Sequence, residues 1–295
     1  MNEVIRWATR LLCMLLVILG ALVGCAGASK IEQSPWLQKS ELYKTQDFTA
    51  SLVTYSNDGI RLHALIATPL TPSPANGYPT IVANHGFVPV PARYGIGHDG
   101  EDRRPGDYYR AIPKQYTQHG FRVVMPDYRG HNASGGGQTL TDDIWTNIGL
   151  YADDVIALVD DVLPALSDSD PARWYLWSHS MGGPVALQVL VERPVFKSAT
   201  FWSPMSLTRW ETQLDTVSAA VMIHHARGDA TTPLVNATTF DAALQRAHIA
   251  RILFEYSGSE HLLTGDDQAQ AVLRDVATFR RGISTPDRDA KEMQK

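Results

Sequence analysis

With 295 residues, a formal net charge of −5 and 44% hydrophobic residues, the chain has the composition of an ordinary globular protein. No basic block is present, which argues against nucleic-acid binding. The only two cysteines, Cys13 and Cys25, fall in the first 25 residues, so the body of the chain holds neither an intramolecular disulfide nor a catalytic thiol.

The first 24 residues have the pattern of an export signal. Arg6 and Arg10 precede an apolar run at 11–19, which is shorter than the roughly 20 residues that cross a bilayer. The sequence Leu-Val-Gly-Cys at 22–25 closely resembles the lipobox of bacterial lipoprotein signal peptides. By that resemblance, the signal at 1–24 is removed and the sulfur of Cys25 carries a diacylglycerol. An uncleaved N-terminal anchor is the alternative.

The residue after this cysteine bears on location. Ala26, and not aspartate, follows Cys25. By the lipoprotein resemblance, this favours a lipid anchor in the outer membrane of a Gram-negative envelope. Two or more acyl chains attach a protein firmly, whereas one chain binds only marginally. We expect residues 25–46 to form a lipidated, polar tether that ends in a short helical piece.

Residues 47–283 are expected to form one α/β domain, because short β-rich runs alternate with longer helical ones. Two alternating runs, 48–55 and 60–68, flank Asn57-Asp58-Gly59 and predict a hairpin. Later strands are predicted at 80–83, 122–125, 174–177, 199–202, 220–224 and 251–256, and helices at 108–119, 150–166, 182–192, 235–247 and 266–280. The predicted architecture is an eight-stranded, mostly parallel sheet with helices on both faces. The charged segment 284–295 is expected to be a flexible tail.

The run Ser-His-Ser-Met-Gly-Gly at 178–183 joins a predicted strand to a predicted helix. A small residue two positions before Ser180 and a glycine two positions after it allow a sharp turn, which lifts the hydroxyl clear of the sheet beside a helix N-terminus. The pattern Ser-x-Ser-x-Gly alone is weak evidence for a nucleophile, and its value comes from the predicted strand and helix on either side. A serine that merely caps the following helix is the alternative.

Two residues further along the chain, an aspartate and a histidine, have the chemistry needed to activate Ser180. Asp229 follows the strand that ends at His224, and His261 lies in a Gly/Ser loop after the last strand. A serine hydroxyl needs a neighbouring base, which His261 supplies, while Asp229 orients the imidazole. Asp229 as a turn aspartate that bonds its own backbone is the alternative. Weaker candidates fall in helices, caps or strand ends: Asp215, Asp241, Asp266, Asp267, His224 and His225.

This order of Ser, Asp and His resembles the α/β-hydrolase superfamily. His-Gly-Phe at 85–87 resembles its oxyanion loop, and the pattern Asp-x-Arg-Gly-x-x-x-Ser-x-Gly at 127–136 resembles a further landmark. The resemblance covers nearly all of 48–280 and is closest to the prolyl oligopeptidase and dienelactone hydrolase-like branches. One departure is Ser178, which stands where the family usually has glycine.

The resemblance implies further roles. The backbone N–H groups of Met181 and Phe87 are the expected oxyanion donors. Asp127 and Arg129 are expected to form a structural ion pair. The connection after the sixth strand is too short for a large cap domain. Long loops in compact domains are usually functional, so the loop at 88–106 is expected to form one wall of the pocket, and a solvated surface loop that only covers an edge is the alternative. Neither a metal nor an organic cofactor is implied.

The family resemblance therefore implies a serine hydrolase that cleaves carboxylic esters through an acyl-enzyme. Two alternatives remain open, a serine peptidase of the prolyl oligopeptidase type and a lipid-anchored binding protein on an inactive hydrolase scaffold. The expected partners are a small-molecule ester or peptide substrate and the membrane that holds Cys25. No obligate protein partner is evident.

Overall fold

The structure, a computed structural model, describes residues 38–87, 111–166 and 168–283. The predicted signal peptide, the lipobox with Cys25, the loop at 88–106 and the tail at 284–295 lie outside the described residues.

Within the described residues, nine strands form one sheet in the order β1-β2-β3-β5-β4-β6-β7-β8-β9. The strands β1, β2, β3 and β5 pair antiparallel, and every pair from β5–β4 to β8–β9 is parallel. All eight predicted strands are present, so the expected mostly parallel sheet is confirmed. The strand bounds are β1 Gln38–Lys44, β2 Phe48–Asn57, β3 Ile60–Pro69, β4 Tyr78–Asn84, β5 Arg122–Asp127, β6 Ser169–His179, β7 Ser198–Trp202, β8 Ala220–Ala226 and β9 Arg251–Tyr256.

The additional strand, β1, corrects the prediction for the tether. A short helical piece was expected before residue 47, but Gln38–Lys44 pairs with β2. Its polar side chains hid the strand pattern, and charged residues are typical of an edge strand because they discourage further pairing. Leu42 and Tyr43 still pack against the buried core. The rings of Tyr43 and Phe48 are arranged edge to face, with their centroids 6.1 Å apart.

Helices cover both faces of the sheet. On one face lie α2 (Ile144–Ala157), α3 (Gly182–Glu192) and α4 (Leu234–Arg246), and on the other lie α1 (Ala111–Thr117) and α5 (Gly265–Arg281). The helix α2 begins six residues earlier than predicted, because Asp143 caps it by accepting hydrogen bonds from the backbone N–H groups of Trp145 and Thr146. The connection from β7 to β8 is only a 3₁₀ helix, Thr208–Thr216, in keeping with the predicted lack of a large cap.

The predicted ion pair between Asp127 and Arg129 is wrong. Arg129 pairs instead with Asp154 on α2, with Nη2 at 2.6 Å from Oδ1, and its backbone N–H also donates to Asp154 Oδ2. Asp154 is completely buried, so its carboxylate requires several donors, which Arg129 supplies from both side chain and backbone. Asp127 accepts a hydrogen bond from Asn132 at 3.3 Å.

None of the helices in the described ranges has both the length and the apolar character that a membrane span requires.

Candidate active site

Ser180 occupies the turn between β6 and α3 with a φ of +54°, a left-handed conformation that is uncommon for residues other than glycine. Its backbone N–H donates to the carbonyl of Trp202 at the end of β7, which fixes the turn to the sheet. A Cβ on Gly182 would lie 2.2 Å from the carbonyl oxygen of Asn84, so the close approach to β4 requires glycine there. The sharp turn predicted from the sequence is therefore present.

Ser178 explains how the turn tolerates serine in place of the usual glycine. The residue is fully buried, and its hydroxyl donates to the carbonyl oxygen of Thr200 on the neighbouring strand β7 at 3.2 Å. A buried hydroxyl without a partner would be costly, and this hydrogen bond removes that cost.

The carboxyl ends of three strands bring the predicted catalytic residues to one edge of the sheet. Ser180 follows β6, Asp229 follows β8, and His261 follows β9, with β7 between the first two. His261 Nδ1 lies 2.8 Å from Asp229 Oδ2. The Asp229 side chain is fully buried, whereas that of His261 is 19% exposed. The predicted acid and base are thus paired at the rim, where ligands bind in open sheets of this type.

Asp229 also behaves as the turn aspartate of the alternative interpretation. Its Oδ1 accepts the backbone N–H groups of Thr231 and Thr232 at 2.8 and 3.0 Å. Burial alone would raise the pKa of Asp229, but the hydrogen bonds from His261 and Thr232 outweigh it and lower the pKa. The carboxylate is therefore ionised at neutral pH and accepts the proton on His261 Nδ1, which leaves Nε2 as the basic nitrogen.

Thr232 is a site residue that the sequence analysis missed. Its hydroxyl lies 2.8 Å from Asp229 Oδ2, 3.1 Å from the carbonyl of Ser203 and 3.3 Å from His261 Nδ1. The carbonyl of Thr232 in turn accepts a hydrogen bond from His225 Nε2 at 2.8 Å. A hydroxyl residue three positions after a turn aspartate was the available signal.

The remaining histidines near the site are buried and hydrogen-bonded, as predicted for His224 and His225. His179 directly precedes Ser180 in the chain. Its Nε2 lies 3.0 Å from the backbone oxygen of His261, and the centroids of the two imidazole rings are 4.6 Å apart.

The two proposed oxyanion donors follow adjacent strands. Met181 is buried at the start of α3, and Phe87 follows β4, with a side chain that is 66% exposed. The Tyr128 hydroxyl donates to the carbonyl of His85 at 3.0 Å and so fixes the start of the loop after β4. Met181 and Phe87 would both act through their backbone N–H groups, and their roles as oxyanion donors stay a prediction.

The hydroxyl of Ser180 makes no hydrogen bond to another described residue, although the residue is only 8% exposed. Contacts between a nucleophile and its base often tighten only when substrate binds. Across the described ranges, no cluster of three or more His, Cys, Asp or Glu side chains is arranged to hold a metal.

Comparison with known protein families gives a match over part of the chain. A family model described as serine aminopeptidase, S33 matches residues 106–228, less than half of the chain. The match includes Ser180 and ends one residue before Asp229. No curated protein matches the chain in sequence.

Solved structures match over most of the chain. An acylaminoacyl peptidase from Pyrococcus horikoshii aligns with a TM-score of 0.63 at 15% identity, covering 85% of this chain and 45% of that one. The chain has the α/β-hydrolase fold. An acetyl xylan esterase from Paenibacillus sp. R4 aligns with the same TM-score at 15% identity, covering 82% and 88% of the two chains. For the dipeptidyl peptidase 4 of Porphyromonas gingivalis, the TM-score is 0.61 at 17% identity, with coverage of 80% and 36%.

These likenesses confirm the predicted α/β-hydrolase fold, and at such low identity they show the fold alone. The chain spans about nine-tenths of the acetyl xylan esterase but less than half of the two peptidase chains. Fold and activity are separable, because substrate choice depends on the loops around the site.

Proposed function

We propose that the protein is a serine hydrolase that cleaves carboxylic esters through an acyl-enzyme on Ser180. One observation carries the proposal: a serine in a left-handed turn lies at the same sheet edge as an Asp229–His261 pair joined at 2.8 Å. A strained serine between a strand and a helix, followed along the chain by a paired acid and histidine, is the arrangement that nucleophilic acyl transfer uses.

In the first half-reaction, Ser180 Oγ bonds to the ester carbonyl carbon while His261 Nε2 accepts the hydroxyl proton. The carbonyl oxygen becomes an oxyanion, which the backbone N–H groups of Met181 and Phe87 would stabilise. His261 then returns the proton to the alkoxy oxygen as the C–O bond breaks, so the alcohol leaves and the acyl group stays on Ser180.

In the second half-reaction, water replaces the alcohol as the group that attacks. His261 accepts a proton from water as its oxygen bonds to the acyl carbon, and then protonates Ser180 Oγ as the acyl-enzyme breaks down to the carboxylic acid. Asp229 stays ionised throughout and stabilises the imidazolium of His261 in both half-reactions.

A serine peptidase of the prolyl oligopeptidase type is the second candidate. The matching family model is described as a serine aminopeptidase, and two of the structural neighbours are named as peptidases. The same triad would attack an amide carbonyl and protonate the leaving amine. Small esters would be hydrolysed in either case, so aminoacyl amides and short peptides are the substrates that separate the two functions.

The deciding experiment is labelling of the protein, produced without residues 1–24, by a fluorophosphonate probe. We expect the wild type to be labelled and Ser180→Ala to remain unlabelled. Ser178→Gly is the matched control, since it alters the same turn, restores the usual family residue and should keep the label.

Two results would contradict the proposal. A folded wild type that stays unlabelled would favour the inactive, lipid-anchored scaffold and a search for binding partners. Labelling that survives Ser180→Ala would assign the nucleophile to another serine.

The lipobox-like sequence at 22–25 supports a second, separate proposal, that Cys25 is lipidated and anchors the protein in the outer membrane. Expression in a Gram-negative host with labelled palmitate should give a labelled protein in the outer-membrane fraction. Cys25→Ser should lose both the label and the attachment, whereas Cys13→Ser should keep both. A Cys25→Ser protein that still carries the label would contradict the assignment.

A further inference from the structure

His179 connects the turn that holds the nucleophile to the loop that holds the base. It directly precedes Ser180 in the chain, and its Nε2 lies 3.0 Å from the backbone oxygen of His261. A carbonyl oxygen can only accept, so His179 Nε2 carries a proton and donates it. The same imidazole packs against the ring of His261, with centroids 4.6 Å apart.

Burial keeps the His179 imidazole uncharged. The residue is 2% exposed, and this burial, together with the charge that His261 can carry, lowers the pKa of His179 to about 3. The ring is therefore neutral across the working range of a hydrolase. It offers a permanent N–H donor and does not compete with His261 for the proton of Ser180.

His261 is then held at two separate points. Asp229 accepts the hydrogen bond from Nδ1 and sets the orientation of the imidazole. His179 donates to the backbone oxygen of His261 and so fixes the position of the backbone that carries the imidazole. Because His179 and Ser180 are consecutive, a hydrogen bond from His179 also limits the separation between His261 and the nucleophile.

We propose that His179 is a positioning residue, which holds His261 at the distance from Ser180 that proton transfer requires. This inference rests on the proposed function. Proton transfer is sensitive to such placement, since a misplacement of about 1 Å can reduce a rate about 10²-fold.

The test compares three substitutions by kcat and KM on p-nitrophenyl acetate and by the second-order rate of fluorophosphonate labelling. His179→Leu removes the donor and should lower kcat and the labelling rate roughly 10- to 100-fold, with little change in KM. His179→Gln can place an amide N–H near the position of Nε2 and should recover most of both rates. His179→Asn is too short to reach the carbonyl of His261 and should resemble the leucine variant.

Phe279→Leu is the control for a general loss of stability. This buried ring lies on α5 and stacks on Tyr175 at 4.6 Å, outside the proposed catalytic set. We expect it to lower the thermal midpoint and to leave the labelling rate of the folded protein unchanged.

The outcomes separate this inference from the proposed function. A wild type that does not react with the probe overturns the proposed hydrolase and this inference with it. A reactive wild type with an equally reactive His179→Leu variant overturns the positioning role alone. If His179→Leu does not fold, the comparison of Gln with Asn decides, and equal rates for these two variants would also overturn it.

Discussion

Among the described residues, two His–Asp pairs are hydrogen-bonded at nearly the same distance in different surroundings. His261 Nδ1 lies 2.8 Å from Asp229 Oδ2 at the edge of the sheet, and His224 Nε2 lies 3.0 Å from Asp275 Oδ1 inside the protein. The side chain of His261 is 19% exposed, whereas those of His224 and Asp275 are completely buried. Distance alone therefore does not distinguish the proposed catalytic pair from a structural one.

The difference lies in the second nitrogen of each imidazole. Nδ1 of His224 accepts a hydrogen bond at 2.8 Å from the hydroxyl of Tyr256, which itself accepts one from Arg274. Burial, opposed by Arg274, raises the pKa of Tyr256 to about 12, so this hydroxyl keeps its proton and can donate it. Both nitrogens of His224 are thus used within the fold, whereas Nε2 of His261 is the nitrogen that the proposed mechanism uses as its base.

The acids differ in the same way. Asp275 accepts hydrogen bonds from Tyr116, Trp202 and His224, which come from α1, β7 and β8. Asp229 is bound by its own turn and by His261. Asp275 therefore holds separate elements of the fold together, and Asp229 holds one side chain in an orientation suited to chemistry. The comparison predicts that equivalent substitutions in the two pairs affect different quantities.

The largest expected effect is on catalysis at the Asp229–His261 pair. Asp229→Asn cannot stabilise the imidazolium of His261 and favours the wrong tautomer, so kcat should fall about 10⁴-fold while the protein stays folded. Esterase kinetics together with circular dichroism would measure both properties. A variant that retains a tenth of the wild-type kcat would show that another group orients His261.

The buried pair should show the opposite pattern, a loss of stability. Asp275→Asn places an amide NH₂ among three hydrogen-bond donors, so at least one buried donor loses its acceptor, which costs about 1–3 kcal/mol. Urea unfolding would measure the loss. Asp266→Asn is the control on the same helix, because this residue is exposed and its change should alter stability by only about 0.5 kcal/mol. Equal stabilities for the two variants would contradict the structural role of Asp275.

The sequence predicted the parts of this molecule that depend on local pattern. Near-continuous apolar runs identified the central strands because those strands are covered on both faces. The polar edge strand β1 lacked that pattern and was missed. The sharp turn at Ser180 was recognisable because the strand, the small residues and the helix are adjacent in the chain.

Contacts between residues far apart in the chain could not be predicted from the sequence. Arg129 was assigned the acid two positions before it, and its true partner, Asp154, lies 25 residues away on α2. The hydrogen bond from His179 to His261 spans 82 residues and could not be inferred from spacing. For Asp275 a signal did exist, since it lies among Val272, Val276 and Phe279 on the buried face of α5, where an unpaired acid would be unfavourable.

A smaller effect is expected from Thr232, whose hydroxyl contacts Asp229 and His261 as well as the carbonyl of Ser203. Thr232→Val keeps the shape of the side chain and removes the hydroxyl that contacts Asp229 Oδ2 at 2.8 Å. Since the hydrogen bond from His261 remains, we expect kcat to fall only about 10-fold, in proportion to one hydrogen bond of about 1.5 kcal/mol. Thr232→Ser retains the hydroxyl and should stay close to the wild type. If serine and valine variants were equally slow, the methyl group and not the hydroxyl would be the important part.

The smallest effect concerns the pH dependence of stability at the Asp229–His261 pair. Burial raises the pKa of Asp229, but hydrogen bonds from His261 and Thr232 lower it overall below the ordinary value of 3.8. The ionised carboxylate therefore stabilises the folded state above the unfolded-state pKa, and this contribution is lost as pH falls through the lower, folded-state pKa. The difference in unfolding free energy between the wild type and Asp229→Asn should therefore shrink as the pH falls below about 4. A difference that grows as the pH falls below about 4 would mean that folding raises the pKa of Asp229, and the carboxylate would then be a poorer partner for the imidazolium of His261.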